Sequence, residues 1–153
     1  SRQKSGRTSL YQQTPKSIKQ GYSRSDKNFQ WDFSLADWDH AGWQDPELTP
    51  KCFVEEIISK LKELETQTWH EVETASGGRG RNGGSNSHSI PATELPRNEK
   101  RWFIQQGYMD KYDSVFSLRL TGLKRLVGVA DGAVFKVIWF DKHHAFFPSH
   151  ATD

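Results

Sequence analysis

Residues Ser114 to His150 read S-V-F-S-L-R-L-T-G-L-K-R-L-V-G-V-A-D-G-A-V-F-K-V-I-W-F-D-K-H-H-A-F-F-P-S-H, and this run decides the fold. Val115 to Leu120 alternates apolar and polar residues, Arg125 to Ala130 is a second run, and Ala133 to Phe140 is a third. All are rich in the β-branched and aromatic side chains that suit a pleated surface, which predicts a three- to four-strand antiparallel meander. Asp131-Gly132 lies between the last two runs, the dipeptide preferred in a two-residue type I′ hairpin. With that turn, Gly128 faces Phe135, Leu126 faces Val137 and Arg125 faces Ile138. A three-residue loop, Gly122 to Lys124, is expected before the second strand, because a two-residue loop would bury Arg119 among apolar neighbours.

This register predicts two unlike faces. Phe116, Leu118, Leu120, Leu126, Phe135, Val137 and Trp139 form the core side, against which the helices pack. Arg119, Arg125 and Lys136 share the other, a basic patch on a rigid sheet.

The chain has 153 residues, enough for one domain with one sizeable core. Only 34% of residues are hydrophobic, so part of the chain is expected to remain unfolded. No apolar run approaches the roughly 20 residues that span a bilayer, and no stretch resembles a signal peptide, which predicts a soluble, cytoplasmic protein without a membrane partner. The single cysteine, Cys52, excludes an internal disulfide and any zinc site built on paired cysteines.

A net charge of +2 conceals a partition. Residues 1–28 carry seven Lys or Arg against one acid, a composition expected of a disordered basic extension. Residues 29–73 carry three cations against eleven acids. The remainder, residues 29–153, reads as a single α+β domain.

Within it, Phe29 to Leu35 alternates like a short strand, and Trp38 and Trp43 read as anchors. Asp37, Asp39 and His40 are expected to cap backbone groups in a turn rather than to hold a metal. Thr49-Pro50 is an N-cap followed by proline at the first helical position. Phe53, Val54, Ile57, Ile58, Leu61 and Leu64 then recur with helical period to about Thr66. Residues 74–87 form a flexible Gly-rich loop that lacks the Gly-Lys-Ser/Thr ending of a P-loop. A second helix is expected from near Pro96 to Gln106, ended by Gly107. The fold class is therefore α+β, an antiparallel sheet with two or more helices packed on one face.

The segment R-L-T-G-L-K-R-L-V-G-V … V-I-W-F-D-K-H-H-A-F-F-P resembles the C-terminal half of the RelE/ParE-like toxin superfamily over roughly residues 114–150. The likeness lies in a basic strand pair, a tight hairpin, an aromatic strand and an acidic-basic turn ending in histidine. It implies a small bacterial protein of a mobile element or toxin-antitoxin pair, acting as a metal-independent endoribonuclease on mRNA at the ribosome, with a protein antitoxin as partner and no cofactor. Other members poison gyrase without cutting RNA. The alternative is a non-catalytic nucleic-acid- or protein-binding module of the same fold.

Cleavage through the RNA 2′-hydroxyl needs a base for its proton, cations for charge developing on the phosphate, and an acid for the leaving oxygen. Arg119 and Arg125 are the expected phosphate clamp, since guanidinium binds oxyanions in bidentate fashion. Lys124, Lys136 and Lys142 are the expected RNA contacts. His143 or His144 would exchange the proton, because histidine titrates near neutrality. Adjacent strand residues point to opposite faces, so at most one of these two would join the arginines.

Overall fold

The computed structural model describes residues 24–75 and 87–148. The basic extension up to residue 23, most of the Gly-rich loop (residues 76–86) and the end of the chain from residue 149, His150 included, lie outside the described residues. Five strands form one mixed, mostly antiparallel sheet in the order β1-β5-β4-β3-β2. They are β1 (Gln30–Asp32), β2 (His88–Pro91), β3 (Ser114–Arg119), β4 (Arg125–Asp131) and β5 (Val134–Asp141). The meander β3-β4-β5 is antiparallel as its turn signals require, and β2 adds antiparallel to β3. Only β1 runs parallel to its neighbour, pairing Gln30 with Val134 and Asp32 with Lys136.

Both hairpin turns sit one residue from their expected places. The β3-β4 loop is centred on Thr121, Gly122 and Leu123, with the Leu120 N–H donating to the Lys124 carbonyl at 2.9 Å. Gly122 supplies the left-handed conformation there, φ 56°. Arg119 therefore lies directly opposite Arg125, and Leu118 opposite Leu126. Moving a loop by one residue changes each partner by two, so the faces are preserved, and Phe116, Leu118 and Leu120 do enter the core. The β4-β5 turn is Gly132-Ala133, with Asp131 opposite Val134. Only Gly132 has positive φ in this turn, the pattern of a type II′ rather than a type I′ hairpin.

A β-bulge then changes the far half of β5. Gly128 pairs with Val137 but Val127 pairs with Trp139, leaving Ile138 as the extra residue. Phe135 and Val137 keep the expected core face, whereas Trp139 crosses to the other side and Phe140 takes its place. Gly128 is required by backbone approach rather than by the ring of Phe135: a Cβ at this position would stand 2.0 Å from the Lys136 carbonyl oxygen. The Ile138 carbonyl accepts instead from the Trp43 indole at 2.9 Å and the Asp37 N–H at 3.1 Å. The bulge thus docks the loop that follows β1.

Helix α1 begins as Pro50–Cys52, passes through a π-helical turn at Phe53–Ile58 and ends as Ser59–Leu64. Thr49 caps it, accepting from the Cys52 N–H at 3.1 Å, with Pro50 where no hydrogen-bond donor is needed. Helix α2 (Trp69–Thr74) reads in the sequence only as an apolar-polar stretch; a reciprocal capping box between Thr68 and Glu71 starts it. Helix α3 (Arg97–Gln105) ends at Gly107, φ 84°, as expected.

Ile57, Leu61 and Leu64 of α1 and Trp69 and Val72 of α2 cover one sheet face, packing with Phe29, Phe116, Leu118, Leu126, Phe135 and Val137. The α+β class is as expected, with two helices on one face, but the second of them is α2, and the helix expected from near Pro96 to Gln106 covers the other face. The opposite face is not an open basic patch. Ile90, Leu95, Phe103 of α3, Phe146 and Phe147 bury Val115, Val127, Val129, Ile138 and Trp139. A sheet covered on both sides explains why β4 and β5 read as nearly continuous apolar runs. The folded body also starts earlier than residue 29. Arg24 binds Glu73 at 2.9 Å and lies over the Trp69 ring, and Asn28 bridges to Thr68.

Candidate functional site

The meander brings six of the seven residues expected in a site to one end of the sheet. Arg119 ends β3, Lys124 closes the loop that follows, Arg125 begins β4, and Lys142, His143 and His144 follow β5. Lys136 lies along β5, away from this end, and its ammonium binds Asp32 at 2.9 Å. Burial alone would raise the Asp32 carboxyl, but hydrogen bonds from Lys136 and Ser34 outweigh it and hold the group below the usual carboxylate range.

Arg125 is 1% exposed. Its Nη1 donates to the Gly122 carbonyl at 2.8 Å and to the Lys124 carbonyl at 2.9 Å. Arg119 and Asp141 are its register partners on either side. Burial, with the like charge of Arg119, pushes Arg125 down to about 10, while Asp141 pulls the other way. The guanidinium is thus charged at neutral pH but turned inward, which corrects its expected place on an open phosphate-binding face.

The lysines are committed to acids. Lys124 binds Glu56 at 2.6 Å. Lys142 binds Asp45 at 3.1 Å and also Glu47. The Glu47 N–H first and then Lys142 keep Asp45 below its ordinary range, and Glu47 followed by Asp45 raises Lys142. These groups line a cavity of about 230 Å³ with Cys52 and Phe140. Three carboxylates against two ammonium groups make that cavity repel a phosphate.

The histidines do not sit in a strand, since β5 ends at Asp141, so the alternation expected of them does not apply. His143 is exposed. His144 is buried with φ 58°, and its Nδ1 has no hydrogen-bond partner among the described residues. His40, read as a capping residue, does cap: its Nδ1 accepts from the Gly42 N–H at 3.0 Å. Nε2 therefore carries the proton and donates to Glu99 at 2.6 Å, which, ahead of the opposing effect of burial, lowers the Glu99 carboxyl. Both ring nitrogens are used, so His40 is a staple to α3 with no lone pair for a substrate. No group of three His, Cys, Asp or Glu among the described residues is placed to hold a metal ion.

A different surface stands open. Trp38, Trp43, Gln44, Leu48, Pro50, Phe53 and Val54 line a groove of about 390 Å³. Its aromatic walls belong to a contiguous ring cluster. Phe33 lies parallel to Trp38 at 5.6 Å, Trp38 meets Trp43 at 5.0 Å, and Trp43 meets Phe53 and Phe140 at 6.1 and 6.0 Å. The Trp43 indole is fixed by the bulge carbonyl, and the Trp38 carbonyl accepts from the Gln44 amide at 2.8 Å. The π-helical turn begins at Phe53, on the groove wall, and such widened turns recur at functional sites. Trp38 is nonetheless 48% exposed and Val54 53%.

Single exposed apolar residues are ordinary, whereas a contiguous apolar groove marks a binding surface. Its charged neighbours in sequence are Asp37, Asp39, Asp45, Glu47 and Glu55 against Lys51 alone. The tryptophans are legible as anchors, but the groove between them depends on the bulge, which no local motif announces.

In comparison with known proteins no protein-family model matches the chain, and no curated protein or solved structure does so either. No helix among the described residues is long and apolar enough to cross a membrane.

Proposed function

We propose that this chain is a non-catalytic protein-binding module whose aromatic groove takes a peptide segment carrying large apolar side chains beside Lys or Arg. The observation that carries this reading is the half-exposed Trp38 and exposed Val54 at the mouth of a fixed apolar groove. Apolar anchors entering such a groove are the residues that dominate interface energetics. Of the flanking acids Asp45 and Glu47 are bound to Lys142 and Asp37 to the Trp139 indole, which leaves the exposed Asp39 and Glu55 to complement a basic partner and set its orientation.

Panning a random peptide display library on the purified chain tests the reading. Enriched peptides should place an aromatic or large aliphatic residue within a few positions of Lys or Arg. Val54→Asp and Trp38→Ala should each weaken them by about tenfold or more. Since Val54 is exposed, its substitution should leave stability within about 0.5 kcal/mol. Enriched peptides that bind Val54→Asp as tightly as the parent would overturn the proposal.

A second reading, the metal-independent endoribonuclease acting on mRNA, draws support from the gathering of Arg119, Lys124, Arg125, Lys142 and His143 at one sheet end. It requires the lysines to exchange carboxylates for phosphates. Cleavage of ribosome-bound mRNA that is lost in Arg119→Gln would establish it over the first. Uncut RNA with no salt-dependent binding would remove it.

A further inference from the structure

Helix α3 carries opposite chemistries on its two sides. Phe103 is fully buried, Trp102 meets the Trp139 ring at 5.5 Å and Glu99 binds His40, which together fix the inward side. With about 3.6 residues per turn, Arg97, Arg101 and Ile104 (i, i+4, i+7) share the outward side. All three are exposed, and half-buried Lys100 lies at the margin of the same stripe.

The charge of this stripe is not neutralised as it is elsewhere in the fold. Arg24, Lys124, Lys136 and Lys142 are each bound to a carboxylate. Among the described residues no carboxylate stands within ion-pair distance of Arg97, Lys100 or Arg101. Glu99, the acid of α3 itself, is taken by His40, and Arg101 reaches the Asn98 amide oxygen at 3.5 Å. The helix therefore holds out a large aliphatic side chain among unneutralised cations.

That is the composition read above for the occupant of the aromatic groove. Four large apolar residues are exposed among the described residues: Trp38 and Val54 at the groove mouth, Ile104 on α3, and Leu123. The exposed acids Asp39 and Glu55 adjoin Trp38 and Val54 in sequence, so both apolar and charged parts of the two surfaces match. Phe103 and the Glu99 contact hold α3 on its own sheet with Ile104 turned away from its own chain. A groove that receives Ile104 must belong to another copy.

We infer that the partner of the groove is a second copy of this chain, with α3 of one copy entering the groove of another. Ile104 would meet Trp38 and Val54, and Arg97 and Arg101 would face Asp39 and Glu55. The inference rests on the groove reading and names its occupant. An already folded helix gives up little freedom on docking, and a helix laid in an apolar groove is a recurring mode of recognition. Two unlike surfaces meet, so the contact is heterologous, and a single helix makes a small one that associates weakly.

Sedimentation velocity of the full chain over a concentration series tests this. The average mass of the parent should rise with concentration, and rise less at high salt. Ile104→Asp and Val54→Asp, both at exposed positions, should each stay monomeric with the melting temperature of the parent. Mixed, they should form a one-to-one complex, because the first keeps its groove and the second its α3. Arg97→Glu with Arg101→Glu should weaken the association of the parent by about tenfold or more.

A parent that stays monomeric throughout would overturn the inference, while display-library peptides bound by that monomer would leave the groove reading standing. Should that monomer instead hold an RNA or DNA duplex, and lose it in the double glutamate variant, the stripe belongs to nucleic acid. Association lost in Val54→Asp but kept in Ile104→Asp would overturn the inference in favour of a groove-to-groove contact. Mixed variants that do not associate would overturn it as well.

Discussion

Asp141 closes β5 with a carboxylate shared among three demands. Its oxygens accept from the Ala145 N–H at 2.8 Å and the Phe146 N–H at 3.0 Å, turning the chain so that Phe146 and Phe147 fall on the second sheet face. It is also the register partner and opposing charge of the buried Arg125. Asp141→Ala would remove an opposing charge from beside Arg125 and leave the Ala145 and Phe146 N–H groups without the acceptor they have here. Leaving a buried donor unsatisfied costs about 1–3 kcal/mol. Urea denaturation should show that loss as a lower midpoint at unchanged slope. A loss below about 1 kcal/mol would mean that the carbonyls of Gly122 and Lys124 suffice for Arg125. At this scale the sequence is a good guide to side-chain type and a poor one to exposure. Arg125 and Arg119 look alike in a string, but Arg125 reaches back to the loop carbonyls of its own hairpin, a contact set by loop geometry.

The bulge is the element on which two functional features depend. Ile138 becomes the extra position, Trp139 passes to the α3 side, and the freed Ile138 carbonyl holds Trp43 in the groove. Gly128→Ala would place a Cβ 2.0 Å from the Lys136 carbonyl oxygen, and backbone cannot yield as a flexible side chain can. A cost of about 3 kcal/mol or more is expected in urea denaturation, together with red-shifted tryptophan emission as the groove loosens. Gly42→Ala, with a Cβ 2.0 Å from the Phe140 carbonyl oxygen, should act in the same direction. An unchanged midpoint in Gly128→Ala would show that the strands slide to a regular register. The meander, the α1 cap and the Gly107 stop are all legible in the sequence, because each is fixed by local backbone chemistry. The bulge is not, since both Trp139 and Phe140 are acceptable on either face and only packing by α3 and by α1 decides between them. The parallel pairing of β1 is equally hidden, because a three-residue strand carries no signal of direction.

Across the whole molecule, the acids of residues 29–73 serve as clamps between distant segments of chain. Asp32 joins β1 to Lys136, Asp45 and Glu47 join the post-β1 loop to Lys142, and Glu56 joins α1 to Lys124. Glu99 joins α3 to His40 in that same loop. The charge partition visible in the sequence is therefore an internal complementarity, and the basic meander is the surface these acids neutralise. Acid stability depends on these clamps. The Asp32 and Glu99 carboxyls are held below their ordinary range in the folded chain. Between folded and unfolded values the unfolded chain binds more protons, so their contribution is complete above the unfolded carboxylate range, about pH 4, and is lost as pH falls through the folded values. Urea midpoints measured from neutrality downward should hold level and then drop below about pH 4. Asp32→Asn with Glu99→Gln should flatten that drop, with glutamine still able to accept from His40 Nε2. A double variant whose midpoint falls as steeply as the parent's would place the acid-sensitive groups elsewhere in the fold.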